Sequence, residues 1–329
     1  MRHFGRFLDK DSIQTENYHK MDNKFYNAAK DEQDKNNYKA AYKLYKKGVK
    51  SGDIRCNYGI AVFLTCGYLG EKDTDKANEI FAEVFSGIKV LAEQNDPISC
   101  CIIGFYYFNG YYVEEDKVEA VKWWKKSAEE KYAVAQYNLG VCYDNGYYVE
   151  ENKVEAVKWY RKAAEQGYAS AQYNLGICYD RGEGVEKDKE EAVKWYKKAA
   201  EQGHSSAQYN LGIVLIEEQE YEEAKNFFEQ ALLQGETAAH YGLALLYEQG
   251  NGVPQNGKKA ISLYLEILKN VDCNWLFGLI YLNLAKIYDD NQPFCNGVYK
   301  DNFKAKEYYE KALEYGEDCK SDLKTLEAL

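Results

Sequence analysis

The chain is poor in residues that break helices. Proline occurs three times in 329 residues, at Pro97, Pro254 and Pro293. So few breakers over such a length exclude a loop-rich all-β fold and leave room for many helices. Positive charge is also in deficit, with a formal net charge of −11. A nucleic-acid partner is not expected, because binding phosphate requires a basic footprint. The lysines are interleaved with glutamates, as at Lys125, Lys126, Glu129 and Glu130, which is the pattern of a solvated helix face. No apolar run approaches the roughly 18 residues that span a bilayer, so no membrane partner is expected either. The opening residues, Met1 to Asp9, contain no apolar stretch long enough for a secretory leader. Nine cysteines make an odd count with no C-x-x-C pair. That usage excludes a regular disulfide framework and points to reduced, buried thiols in a cytoplasm.

Catalytic chemistry is equally sparse. The four histidines are His3, His19, His204 and His240, and no spacing sets two of them on one helix face as metal ligands. There is no G-x-S-x-G nucleophile elbow and no phosphate-cradling loop. Gly182-Glu183-Gly184 and Gly250-Asn251-Gly252 each join one helix to another, so they read as turns rather than a dinucleotide fingerprint. Acidic pairs such as Glu150-Glu151 and Glu222-Glu223 recur too often for any one to signal acid–base catalysis. The sequence therefore calls for no enzyme, no cofactor and no metal.

What is present is repetition. Ala135-Gln136-Tyr137-Asn138-Leu139-Gly140 returns 36 residues later as Ala171 to Gly176, and again as Ala207 to Gly212. A second block, Glu119-Ala120-Val121-Lys122-Trp123-Trp124, returns at Glu155 and at Glu191. Following the small residue at the Gly140 position yields Ala29, Ala61, Gly104, Gly140, Gly176, Gly212, Ala244 and Ala285. That ruler counts eight repeats. Each reads as two helices. Ala135, Leu139, Gly140 and Tyr143 line one face of helix A, and Ala156, Trp159, Tyr160, Ala163 and Ala164 line one face of helix B. A glycine such as Gly167, Gly203 or Gly235 closes helix B. Two such helices cannot bury their apolar faces alone, so they must stack. The expected fold is an all-α solenoid: a flexible segment over residues 1–11, the repeats over 12–316, and a terminal helix over 317–329 whose outer side is charged.

The repeat resembles a known family. Ala171, Asn174-Leu175-Gly176, Tyr179 and Gly182-Glu183-Gly184-Val185, followed by Glu191-Ala192, Trp195-Tyr196, Ala199-Ala200 and Gly203, are similar to the Sel-one-like repeat, a relative of the tetratricopeptide repeat. The match is densest over residues 97–204. The units at Ala29 and Gly212 lack the loop between helices A and B and look more like plain tetratricopeptide repeats. The resemblance implies a right-handed α-superhelix and a scaffold or adaptor that binds protein or peptide partners. Secreted, cysteine-rich members carry a disulfide in each repeat and are linked to β-lactam binding or hydrolysis. Cys142, Cys178, Cys273, Cys295 and Cys319 lack their cysteine spacing, which disfavours that enzymatic alternative.

Two surfaces are candidates for a partner. By analogy with tetratricopeptide repeats, the position three before the marker glycine faces the concave groove, placing Tyr137, Tyr173, Tyr209 and Tyr241 there with Asn138, Asn174 and Asn210 beside them. Tyrosine offers rigid apolar area with a polar tip, and asparagine amides at even intervals suit an extended peptide backbone. The alternative is that these are packing positions of the family. The second surface is a loop ridge. The second loop glycine, present as Gly184 and Gly252, is replaced by Tyr112 and Tyr148, giving Tyr111-Tyr112 and Tyr147-Tyr148. A bulky residue avoids positive φ, so these two turns are expected to differ from the Gly184 turn. Four tyrosines on adjacent loops would form an aromatic ridge, or each ring would pack on the next loop. Self-association through solenoid edges is a third reading.

Overall fold

A computed structural model describes residues 24–269, 275–289 and 295–327. The expected flexible segment 1–11, and the start of the array at Ser12, lie outside them. Seventeen α-helices occur among the described residues, and no strand does. The chain divides into two compact units, Met1–Ala192 and Val193–Leu329.

The first unit holds α1 (Lys24–Asp34), α2 (Tyr38–Lys50), α3 (Ile54–Cys66), α4 (Thr74–Glu93), α5 (Pro97–Asn109), α6 (Lys117–Glu129), α7 (Ala133–Asn145), α8 (Lys153–Glu165) and α9 (Ala169–Arg181). The division falls within α10 (Lys189–Glu201). The second unit continues with α11 (Ser205–Glu217), α12 (Tyr221–Leu233), α13 (Ala239–Gln249), α14 (Gly257–Ile267), α15 (Phe277–Tyr288), α16 (Asn302–Glu314) and α17 (Lys320–Glu327). Odd-numbered helices to α15 are the A helices, and each contains one marker of the eight-member ruler. Even-numbered helices are the B helices. Within each unit a helix packs mainly on its neighbours in sequence, so the layers are tandem hairpins. The turns α1–α2 and α11–α12 are short.

The small marker residue is set by an aromatic ring. All eight markers are buried. A methyl group added at Gly140 would lie 2.6 Å from Tyr160, and one at Gly212 would lie 2.6 Å from Phe228. Gly104 abuts Trp124 in the same way. The helix-B ring thus fills the space that the small residue on helix A leaves. Where the ring is tyrosine, its hydroxyl donates to an acceptor four residues past the marker: Tyr160 to Asp144 (3.2 Å), Tyr264 to Glu248 (2.6 Å) and Tyr309 to Asp289 (2.9 Å). In the first hairpin Tyr45 donates to Gln33, likewise four residues past the marker Ala29, at 3.1 Å.

Register between repeats is fixed by a second periodic device. The buried amides of Gln136, Gln172 and Gln208 donate to the carbonyls of Ala128, Ala164 and Ala200. Gln166 then donates to the Gln136 oxygen at 2.6 Å, and Gln234 to that of Gln208 at 2.8 Å. Buried polar groups satisfied in this way penalise any slipped stacking. Helix starts are capped by Asp53, Asp73, Asp96, Asp116, Asn152, Asn256 and Asp301, each accepting from the first turn. At the end of the chain, Cys319, Leu323 and Leu326 pack on Ala305, Tyr309 and Ala312, while Lys320 and Lys324 face outward. The last hairpin therefore does not leave its apolar face in water.

Candidate functional site

The groove tyrosines are withdrawn from solvent: Tyr137, Tyr173 and Tyr241 are half-buried and Tyr209 is buried. Tyr137 is half-buried, with its ring 5.3 Å from Tyr168 and 6.0 Å from Tyr160. In the second unit the Asn283 amide donates to the Tyr264 hydroxyl at 3.0 Å. Burial, foremost, raises the pKa of the Tyr137, Tyr160, Tyr241 and Tyr264 phenols. Tyr209 is buried against Phe228, with Trp275 edge-on at 6.3 Å. Tyr173, Asn138 and Asn210 are half-buried, and the Asn138 amide nitrogen is sealed from solvent without a hydrogen-bond partner. The neighbouring groove positions Val141, Ile177, Ile213 and Leu245 are half-buried as well.

Tyr26 of helix α1 is buried in one apolar cluster with Tyr45, Tyr58 and Phe81, against which Tyr132 packs. Burial, foremost, raises the Tyr26 phenol well above its ordinary range.

The loop tyrosines are placed differently. Tyr112 is 61% exposed, Tyr147 53% and Tyr148 45%. Tyr111 is not part of this exposed set. Its ring stacks on Phe81 at 4.3 Å and 10°, because the long helix α4 brings Phe81 and Phe85 under the loop. Phe85 also supports Tyr112 at 5.3 Å. Under the second loop lies Phe108, 6.5 Å from Tyr148.

The expectation that tyrosine would force a different turn is overturned. Tyr112 has φ 59° and Tyr148 φ 61°, against 70° at Gly184 and 66° at Gly252. All four loops keep the same left-handed residue. A methyl at Gly184 would run into the Lys153 carbonyl, so glycine is required there by space as well as by φ. At Tyr148 the equivalent space is used by a ring that reaches Lys117. Left-handed backbone costs a bulky side chain roughly 1–2 kcal/mol. Two adjacent loops carry that cost on a tyrosine, and Lys131 and Gln219 adopt left-handed backbone elsewhere.

Sequence reasoning missed Lys117 and the supporting rings Phe85 and Phe108. The Lys117 ammonium lies 5.4 Å from the Phe108 ring and 5.7 Å from that of Tyr148, and pairs with Glu115 at 2.9 Å. The signal was available, since Lys117 and Lys153 occupy the same place in the repeat, 36 residues apart.

The comparisons with known proteins agree on the architecture. The Sel1 repeat pattern matches residues 30–53, 97–132, 133–168, 169–204, 237–267 and 281–316, more than half of the chain. The chain belongs to the Sel1 repeat family. A tetratricopeptide repeat matches residues 206–234, which is the hairpin α11–α12 with the short turn. A similar solved structure is c5321, a protective antigen of uropathogenic Escherichia coli displaying an SLR fold. It is 26% identical over 88% of this chain, with a TM-score of 0.62. This Sel1 repeat protein spans 60% of that antigen's length. A Sel1 repeat protein from Oxalobacter formigenes is 30% identical over 71% of this chain and 96% of its own, with a TM-score of 0.54. No curated protein matches the sequence.

Proposed function

We propose that this Sel1 repeat protein is a scaffold that docks a protein or peptide partner on the loop face of its third and fourth repeats. One observation carries the choice of surface. Tyr112, Tyr147 and Tyr148 expose their rings, whereas Tyr137 and Tyr241 are half-buried and Tyr209 is buried. Exposed aromatic area is uncommon on a surface that meets only water, and tyrosine is enriched where proteins meet. The retained backbone strain at Tyr112 and Tyr148 supports the same face, because strain persists where something other than stability selects the residue. The family's repeats serve as non-catalytic interaction modules, and we extend that reading to this chain.

The test is partner capture from the native cell with three proteins. These are wild type, a loop variant (Tyr112→Gly with Tyr147→Ser and Tyr148→Gly), and a groove variant (Tyr137→Phe with Tyr241→Phe). The loop variant loses the partners that wild type and the groove variant retain. Retention by the loop variant and loss by the groove variant would reverse the assignment.

We also propose that the protein is no enzyme and works in a reducing compartment. All eight described cysteines are free thiols, and all except Cys66 are buried. Burial raises the thiols of Cys100 and Cys142, each to about 11, which makes them poor nucleophiles. Nitrocefin turnover by the purified protein would contradict the first statement, and paired thiols in protein alkylated inside the cell would contradict the second.

A further inference from the structure

The chemistry around the exposed rings specifies what docks there. Each of the two loops repeats the order tyrosine, valine, glutamate, glutamate: Tyr112-Val113-Glu114-Glu115 and Tyr148-Val149-Glu150-Glu151. All four carboxylates are exposed. Glu115 and Glu151 are engaged by Lys117 and Lys153, at 2.9 and 3.7 Å. Glu114 and Glu150 form no ion pair among the described residues. The face therefore offers rings and unused negative charge side by side.

The same face already holds one cation. The Lys117 ammonium lies 5.4 Å from the Phe108 ring and 5.7 Å from the Tyr148 ring, with the Glu115 carboxylate at 2.9 Å. Aromatic faces attract ammonium and guanidinium groups through the ring quadrupole, and a neighbouring carboxylate adds to the attraction. Lys117 shows how a foreign cation would be received. The next loop, Gly184-Val185-Glu186-Lys187, has no ring and carries its own lysine, and the loop at Gly252 has neither ring nor charge. Exposed rings also occur at Tyr68, Tyr299 and Phe303, but the order tyrosine, valine, glutamate, glutamate occurs only in the loops of the third and fourth repeats.

We propose that the loop face of the third and fourth repeats binds a lysine- and arginine-rich segment of a partner protein. The rings of Tyr112, Tyr147 and Tyr148 take the cations, and Glu114 and Glu150 pair with them. This rests on the reading that the loop tyrosines form the docking face.

Fluorescence anisotropy with the full chain tests it. The probes are a short labelled peptide rich in lysine and arginine, and a counterpart with glutamine at every basic position. Wild type binds the basic peptide, binding weakens as salt rises, and the counterpart binds at least about tenfold more weakly. The tyrosine variant (Tyr112→Gly, Tyr147→Ser, Tyr148→Gly) loses about tenfold in affinity for the basic peptide. The carboxylate variant (Glu114→Gln, Glu150→Gln) loses about fivefold. Both stay folded, since glycine suits the left-handed positions and the carboxylates are exposed.

The failures are distinguishable. Equal binding of both peptides to wild type, lost in the tyrosine variant, keeps the docking face and overturns its basic preference. Basic-peptide binding unchanged in the tyrosine variant overturns the face itself, leaving only attraction to the chain's net negative charge. A concentration-dependent dimer in sedimentation, abolished by Tyr147→Ser, would assign the face to a second copy and overturn the proposal.

Discussion

At the residue scale, the left-handed tyrosines separate two roles that a single position can play. At Gly184 the side chain is absent because the Lys153 carbonyl leaves no room. At Tyr148 the ring projects outward at the same φ. Tyr148→Gly therefore removes strain, and an increase of up to about 1 kcal/mol in urea-unfolding stability is expected after the loss of the Phe108 contact. Gly184→Ala carries both the φ penalty and the clash, and a loss of about 1–3 kcal/mol is expected. A gain from Gly184→Ala would show that the loop relaxes away from α8. Gly140→Ala adds a methyl 2.6 Å from the Tyr160 ring, and the expected loss is about 1–3 kcal/mol. The small-residue ruler was legible because the same demand recurs every 36 residues. The turn geometry at Tyr112 and Tyr148 was not, because steric preference argued for a different turn. The structure shows that the loop closure inherited from its neighbours outweighs the preference of one residue.

At the element scale, the helices follow from faces that the sequence displays, and the caps follow from aspartate and asparagine. Leu175 on α9 is fully buried. Leu175→Ala should cost about 2–5 kcal/mol, read from chemical denaturation. A near-neutral result would mean that the buried face of the A helix is misassigned. The helix α11 is capped unusually. The His204 ring accepts from the Ala207 amide at 3.3 Å, where α7 and α9 begin at Tyr132 and Tyr168. Burial lowers the His204 pKa from its ordinary value. The folded state then binds the proton less readily than the unfolded chain. Stability is accordingly present above about pH 6.5 and falls as pH drops through that value toward the folded constant. Thermal unfolding from pH 7.5 to 5 should show this decline, and His204→Asn, which caps without titrating, should flatten part of it. An identical pH slope in the variant would remove His204 from the account. What the element patterns could not reveal is which side of the A helices stays open. That depends on contacts between residues far apart in sequence, such as Tyr26 and Tyr132 meeting one apolar cluster, and periodicity carries no such information.

At the scale of the whole molecule, tandem hairpins share a continuous interior within each unit and leave loops and outer faces to meet other proteins. The family and the fold class were readable from the repeat alone, since stacking is the only way such hairpins bury their apolar faces. The proposed docking preference rests instead on particular residues of the third and fourth loops, Tyr112, Tyr148, Glu114 and Glu150, which fold-level similarity does not specify. The most direct test places a photo-cross-linking phenylalanine analogue at one position at a time in the native cell, in place of Tyr147, Tyr112, Tyr173 or Tyr209. The account predicts a discrete partner cross-linked from positions 147 and 112 and none from 173 and 209. A partner captured from 173 or 209 and absent from 147 and 112 would contradict it.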